Sequence, residues 1–377
     1  MTSKLEDLIA ELCPNGVEYK ALSDVSDMKR GMTVTKKSVN PGDIPVISGG
    51  REPAYYCDIS NRNGETITVA GSGAGAGFVQ YWDKPIFVCD AFSVKGVNDL
   101  TLTKFLYYVL LSKQEAIYAT KKGGGVPHVH ISSIKDFEIP VPPLDVQAEI
   151  VRILDTFTEL TAELTAELTA ELTDRKKQYE YYRDTLLTFN DNNPLHSLIQ
   201  RYCPNGVEYK TLKEILTIKN GRDYKHLQEG KYPVYGSGGI MTYVSEYTYA
   251  EHSVLIPRKG SINKIYYVDE PFWNVDTIFY TIIRKNIAIP KYVYFCLLKE
   301  HLERYNTAGG VPSLTQSVLN DVTIPIPPLE VQHQIVQILD RFDALCNDLT
   351  QGLPAEIEAR RKQYEYYRDQ LLTFKRA

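Results

Sequence analysis

Three stretches combine residue types and spacings that could do chemistry. Gly71-Ser72-Gly73-Ala74-Gly75-Ala76 follows a strand-like run and fits Gly-x-Gly-x-x-Ala, with the acidic Asp90 downstream. That pattern seats a dinucleotide pyrophosphate on a helix N-terminus. Here Phe78-Val79-Gln80-Tyr81-Trp82 comes next and reads as strand, so the helix that such a site needs is not expected. Pro14-Asn15 followed by Glu18-Tyr19-Lys20 echoes a nuclease site, but puts Asn where a metal-binding carboxylate belongs. His128-x-His130 is at most half a metal site. Neither a phosphate loop of the form Gly-x-x-x-x-Gly-Lys-Ser/Thr nor an Asp/Asn-Pro-Pro-Tyr/Phe box occurs. The expectation is a chain without a catalytic set and without a metal site.

What remains is chemistry of recognition. Lysine and arginine neutralise phosphates, and Arg, Lys, Asn, Gln or His reach base edges. Glycine lets a backbone come close to a groove. Loops of that kind occur in both halves of the chain. The first half offers Lys36, Lys37, Arg51, Lys121, Lys122 and His128 as candidate DNA contacts. The second offers Arg222, Lys225, Arg258, Lys259, Asn263, Lys264 and Arg304. A net charge of −5 argues against nucleic acid until it is mapped. Residues 144–189 hold 5 basic and 10 acidic side chains, while 1–143 hold 15 and 16 and 190–328 hold 15 and 13. The deficit sits in one segment, and the loop-bearing parts are near neutral.

The elements that must position these loops come in two copies. Cys13-Pro14-Asn15-Gly16-Val17-Glu18-Tyr19-Lys20 recurs letter for letter from Cys203 to Lys210. Ile139-Pro140-Val141-Pro142-Pro143-Leu144-Asp145-Val146-Gln147 returns as Ile324-Pro325-Ile326-Pro327-Pro328-Leu329-Glu330-Val331-Gln332. Gln178–Asp184 returns as Gln363–Asp369. Such self-similarity makes the chain two copies of one unit. Between the anchors only islands align, and His128 and His130 face Ser313 and Thr315 in the second copy. A shared frame with two different variable faces suits two different targets. Thr66–Ala70, Ile86–Cys89 and Thr277–Ile283 read as strands, and Leu102–Ser112 and Lys291–Leu302 as helices.

After each Pro-Pro an apolar stripe begins, Ile150, Ile153, Phe157, Leu160, Leu164, Leu168, Leu172, Tyr179, Tyr182, Leu186, Phe189 in the first copy. The second copy runs from Ile335 to Phe374 with identical spacing. Its period of about 3.55 residues per turn lies between a heptad and a straight helix. A helix over 144–189 would be about 69 Å long. Neither helix can bury its stripe alone, so an antiparallel pair is expected, with a break near Gly352 and Pro354 in the second. Within the first lie Thr161-Ala162-Glu163-Leu164 and two further copies, Thr165–Leu168 and Thr169–Leu172.

These features resemble the specificity subunit of type I restriction-modification systems. The resemblance rests on the two-unit plan, the Gly-Gly-Val-Pro to Ile-Pro-x-Pro-Pro-Leu-x-x-Gln run in both halves and the Thr-Ala-Glu-Leu repeats, and it covers the whole chain. It implies an α+β fold with two mixed α/β target-recognition domains, 1–143 and 190–328. Long antiparallel helices over 144–189 and 329–377 would separate them in a pseudo-twofold repeat. It also implies that each domain reads one half of a split, asymmetric site in double-stranded DNA, with the helices setting the unread spacer. Two methyltransferase subunits and nuclease-translocase subunits would be the partners, and S-adenosylmethionine, ATP and Mg would bind in them, with no cofactor in this chain. The rival reading is a protein scaffold that holds subunits without reading DNA.

The bulk properties agree with this. At 377 residues, 43% hydrophobic and 24% charged, the chain suits two or three globular domains. No apolar run of 18 residues, no signal-peptide core and no Cys-x-x-Cys among six cysteines occur. A cytoplasmic, non-catalytic recognition protein is the expectation.

Overall fold

The computed structural model describes all residues except 1, 2, 98, 124, 307 and 348–351. The chain divides into two compact units. Unit 1 is Met1–Glu167 together with Ile357–Ala377, and unit 2 is Leu168–Glu356. Both boundaries fall inside long helical segments, so each unit takes residues from both helical arms.

The two units share one topology. Unit 1 has a four-stranded antiparallel sheet in the order Ser26–Arg30, Ala91–Gly96, Thr66–Ala70, Val79–Trp82. Unit 2 repeats it as Leu216–Lys219, Ile278–Ile283, Ser253–Pro257, Tyr266–Val268. A three-stranded sheet lies beside each, with Ile44–Ile47 between Tyr55–Cys57 and Phe87–Val88, and Glu229–Gly236 between Gly239–Val244 and Trp273–Asn274. Central strands Thr66–Ala70 and Ser253–Pro257 are buried throughout, which is why they read as continuous β-branched and apolar runs. Helices Thr103–Ser112 and Pro290–Lys299 supply Phe105, Leu106, Tyr292 and Phe295 to the cores.

The expected strand at 86–89 is the shorter Phe87–Val88, and that at 277–283 is Ile278–Ile283. The helix expected over 291–302 ends at Lys299. His301 takes a left-handed backbone, φ 47°, and a short 3-10 turn follows at Leu302–Tyr305.

A helix runs unbroken from Leu144 to Leu186. It stops three residues before Phe189 because the buried Asn193 amide donates to the carbonyls of Thr185, Leu186 and Thr188 at 3.2, 3.0 and 2.9 Å. The second arm is two helices, Leu329–Asn347 and Leu353–Leu371, with Gly352 just outside and Pro354 in the opening turn of the latter. The expected break is therefore there, although residues 348–351 lie outside the described residues. Within unit 1 the arms pair in opposite order. Phe157 meets the ring of Tyr367 edge-on at 6.3 Å, and the Thr158 and Tyr364 hydroxyls are 2.9 Å apart. Unit 2 makes the reciprocal pair, Tyr182 stacked on Phe342 at 5.2 Å.

The glutamine of Pro-Pro-Leu-x-x-Gln explains that motif. Gln147 is fully buried; its Oε1 accepts the Leu102 N–H at 2.9 Å, and its Nε2 donates to Leu100 and Pro142 carbonyls at 2.8 Å. Gln332 does the same with Ile289, Ile287 and Pro327. One side chain thus ties the long helix to the start of the core helix in each unit. Gln147→Leu would leave the Leu102 N–H and the Leu100 and Pro142 carbonyls without this partner, at about 1–3 kcal/mol for the buried Pro142 carbonyl and less for the two part-buried groups. The expected result is a loss of several kcal/mol in unit 1, read as a lower denaturant midpoint; an unchanged midpoint would contradict the clamp.

Unit 1 also holds a buried carboxylate. Glu149 lies between Lys4 and Arg152, both at 2.7 Å, and their hydrogen bonds, that of Arg152 foremost, hold its carboxyl down at about 2. The folded value is depressed, so the stabilisation is full above the ordinary glutamate range near 4.3 and fades as pH falls toward 2. Its counterpart in the second copy is the neutral Gln334. Glu149→Gln should therefore flatten the acid limb of unit 1 stability between about pH 4.5 and 2, measured by chemical denaturation across pH. The same acid limb in both proteins would refute this.

Candidate nucleic-acid interface

The glycine-rich loops meet in each unit, and equivalent main-chain hydrogen bonds hold them. In unit 1 the Gly73 N–H donates to Pro127 at 3.0 Å, and Val129 to Gly71 at 3.0 Å. In unit 2 Gly260 donates to Pro312 at 2.9 Å, and Leu314 to Arg258 at 2.9 Å. Gly73 and Gly260 sit at φ 78° and 82°, a conformation that favours glycine. Bridges Ser72–His128 and Lys259–Ser313 complete the match. Met32 donates to Val88 as Arg222 donates to Asn274, both at 2.9 Å.

This register pairs residues of different chemistry on one frame. Gly71 corresponds to Arg258, Ser72 to Lys259, His128 to Ser313, His130 to Thr315, and Met32 to Arg222. The backbone scaffold is the same in both units while the side chains it presents are exchanged.

In unit 1, Lys122 bridges to His128, whose ring stacks on His130 with centroids 5.9 Å apart. The 48–51 loop packs on the same turn, since a Cβ on Gly49 would collide with the Ser72 carbonyl. Arg51 lies over the Phe78 ring at 5.1 Å, and its carbonyl accepts from Gln80 at 2.6 Å. Lys121 lies over Tyr118 at 4.1 Å. Arg51, Lys121, Lys122 and His128 therefore belong to one neighbourhood. Lys36 and Lys37 are exposed in a separate turn closed by Ser38 on Thr35.

In unit 2, Lys259 and the exposed Asn263 and Lys264 share one loop, and a Cβ added at Gly260 would stand 3.5 Å from Ser237 Oγ on another. Arg258 is half-buried, 5.8 Å over Phe279. Behind this loop stands a neutral aromatic wall: burial pushes the Tyr235 phenol up to about 12, and Tyr266 donates to Ser237 at 3.3 Å. Arg222 is exposed, its carbonyl accepting from Trp273, and Lys225 is exposed further along. Arg304 is already engaged, paired with Glu300 and stacked on Tyr305 at 4.9 Å.

Unit 1 also has a cleft of about 700 Å³ that the charged loops by themselves do not reveal. Arg30, Thr33, Cys89, Asp90, His128 and His130 line it. Ser72, beside it, donates to Asp90. The dinucleotide-like run belongs to this wall: Val79–Trp82 is a strand, as expected, so the fingerprint lacks its helix. Among the described residues no group of three His, Cys, Asp or Glu side chains could hold a metal. None of their helices is long and apolar enough to cross a membrane.

Two like frames bearing unlike loops also match a family. The type I restriction modification DNA specificity domain matches residues 14–174 and again 204–359. The chain belongs to that family. This specificity chain is 34% identical over 372 residues to the EcoprrI type I restriction enzyme specificity subunit of Escherichia coli, covering 89% of this chain and 90% of the relative. It is 34% identical over 313 residues to the EcoR124I/EcoR124II specificity subunit of the same species, covering 74% and 72%. A solved structure concerned with complex assembly and conformational transition of the type I R-M system shares the fold, with a TM-score of 0.59 at 17% identity and coverage of 95% and 98%. The scaffold reading gains no support from these relatives. Specificity subunits of such systems recognise DNA targets.

Proposed function

We propose that this chain is the non-catalytic DNA-reading subunit of a type I restriction-modification complex. Each unit reads one half of a split, asymmetric duplex site, and the long helix sets the unread spacer between the halves. The chain directs adenine methylation or restriction by its partners, two methyltransferase subunits and nuclease-translocase subunits. S-adenosylmethionine, ATP and Mg bind in those partners, and the complex works in the cytoplasm. The observation that carries this reading is the exchanged chemistry on one frame, above all Ser72 and His128 against Lys259 and Ser313. Two readers with the same frame and different side chains give two different half-sites.

Modification-sensitive sequencing of the host genome, with and without this gene and with the methyltransferase partner intact, tests it. The expected result is loss of methyladenine from one split motif. Methylation that persists unchanged without the gene would refute it.

A further inference from the structure

Asp90 is out of place among cations. A carboxylate facing a phosphate backbone is repelled, so in a DNA-reading cleft it costs affinity unless it meets a donor. Asp90 is exposed in the cleft lined by Arg30, His128 and His130. Its position is fixed twice: its carbonyl accepts the Gly71 N–H at 3.0 Å, and its Oδ2 accepts the Ser72 hydroxyl. Among the described residues Oδ1 has no hydrogen-bond or ion-pair partner, and Gly71 leaves room beside it, since a Cβ there would stand 3.4 Å away. The result is a held acceptor with one free oxygen.

In the major groove the only base-edge donors are the exocyclic amino groups of cytosine and adenine, and Asp or Glu pairs with the cytosine N4 amine. We infer that Asp90, positioned by Ser72 in the Arg30–His128–His130 cleft, reads a cytosine amino group in the half-site of unit 1. The inference rests on the DNA-reading function proposed above and assigns one specificity-determining residue within it.

Unit 2 supplies the internal contrast. Cys89 donates to Ile47 at 2.8 Å as Val275 donates to Tyr235 at 3.0 Å, which aligns the strands leading into this corner. The next frame bond, Gly71 to Asp90, is made in unit 2 by Arg258 to Thr277 at 2.8 Å. Unit 2 therefore has one residue more, Asp276 and then Thr277, where unit 1 has Asp90 alone. At the Asp90 position stands a threonine whose hydroxyl accepts the Ser237 N–H at 3.3 Å, and at the Ser72 position stands Lys259. The held carboxylate is a property of unit 1, so its base preference belongs to one half-site only.

The test uses the complete chain reconstituted with its methyltransferase partner, acting on a duplex library randomised across the split site. Methylated molecules are sequenced for wild type, Asp90→Asn, Ser72→Ala and Asp276→Asn. Asp90→Asn keeps the size and the backbone contact but adds a donor. It should relax preference at one position of one half-site by at least ten-fold and leave the other half unchanged. Binding to an unrelated duplex should not fall, because a negative charge has been removed. Ser72→Ala should relax the same position less, and Asp276→Asn should leave that position alone. An unchanged motif with Asp90→Asn, or an equal rate loss on every sequence, would overturn the assignment while leaving the DNA-reading function standing. A wild-type complex that methylates without any split motif would overturn both.

Discussion

Cutting the chain after Glu356 is expected to unfold unit 1 and leave unit 2 folded, although the cut lies far along the sequence from the first globule. Residues 357–377 belong to unit 1. Leu371 and Leu372 are buried in its core, with Phe374 packed against them. The Lys375 carbonyl accepts the Val17 N–H at 2.8 Å, and the Ala377 N–H returns to the Val17 carbonyl at 3.1 Å. Arg376 pairs with Glu138 and stacks 4.5 Å over Tyr19. Each buried leucine or phenylalanine contributes about 1.5–3 kcal/mol. The two leucines, with the half-buried Phe374 and the ring of Tyr367 on Phe157, reach the lower part of the whole stability of a typical domain, about 5–15 kcal/mol. Hydrogen exchange reads the outcome. Protection should vanish over Thr66–Ala70 in unit 1 and persist over Ser253–Pro257 in unit 2. Full protection of both strands in the truncated chain would refute it.

Deleting one Thr-Ala-Glu-Leu unit, Thr165–Leu168, is expected to shorten the preferred spacer by one or two base pairs and leave both half-sites as they were. The helix is continuous through all three repeats, with Leu164, Leu168 and Leu172 half-buried and the alanines and glutamates exposed. Four residues remove about 6 Å of helix and about 400° of rotation, so the apolar stripe stays nearly in phase. A base-pair step is about 3.4 Å. Methylation-site sequencing of the deletion variant reads spacer and half-sites together. A changed half-site with an unchanged spacer would sink the ruler.

Much of the frame is legible from residues because it is repeated. The strand at Thr66–Ala70, the break beside Gly352 and the absence of a helix after Gly71–Ala76 all come from local pattern. The Gln147 clamp does not: the motif is visible, but its three backbone partners come from Pro142 and from Leu100 and Leu102, more than 40 residues away. The Lys375–Ala377 bridge to Val17 is equally hidden, since no local signal marks a strand whose partner lies at the other end of the chain. In the candidate site, Lys122 and His128 stand out by residue type and do meet. Asp90 shows in the sequence only as the acidic residue downstream of the glycine run, because a carboxylate does not fit a search for cations, and Arg30 lies at the end of a plain strand. Lys36 and Lys37 stand out by charge alone, and their turn makes no described contact with the loop cluster.

The reciprocal sharing of helices has a consequence for how the chain must fold. The segments Gln178–Asp184 and Gln363–Asp369 are identical, yet the first completes unit 2 and the second completes unit 1. Each globule therefore meets two nearly interchangeable partners during folding, and their common residues cannot tell it which to accept. The discrimination must come from contacts outside the shared segments. Lys299 in unit 2 cannot supply it, since the Leu187 carbonyl and Thr188 hydroxyl that it reaches recur as Leu372 and Thr373 in the other arm; Glu138 in unit 1 can, because it takes Arg376 where the other arm carries Asp191. A chain that docks the wrong segment keeps the shared apolar contacts and misses the latch. Intramolecular mispairing and exchange between neighbouring chains are thus the standing competitors of the native state, and the Glu138–Arg376 pair is one contact that decides against them.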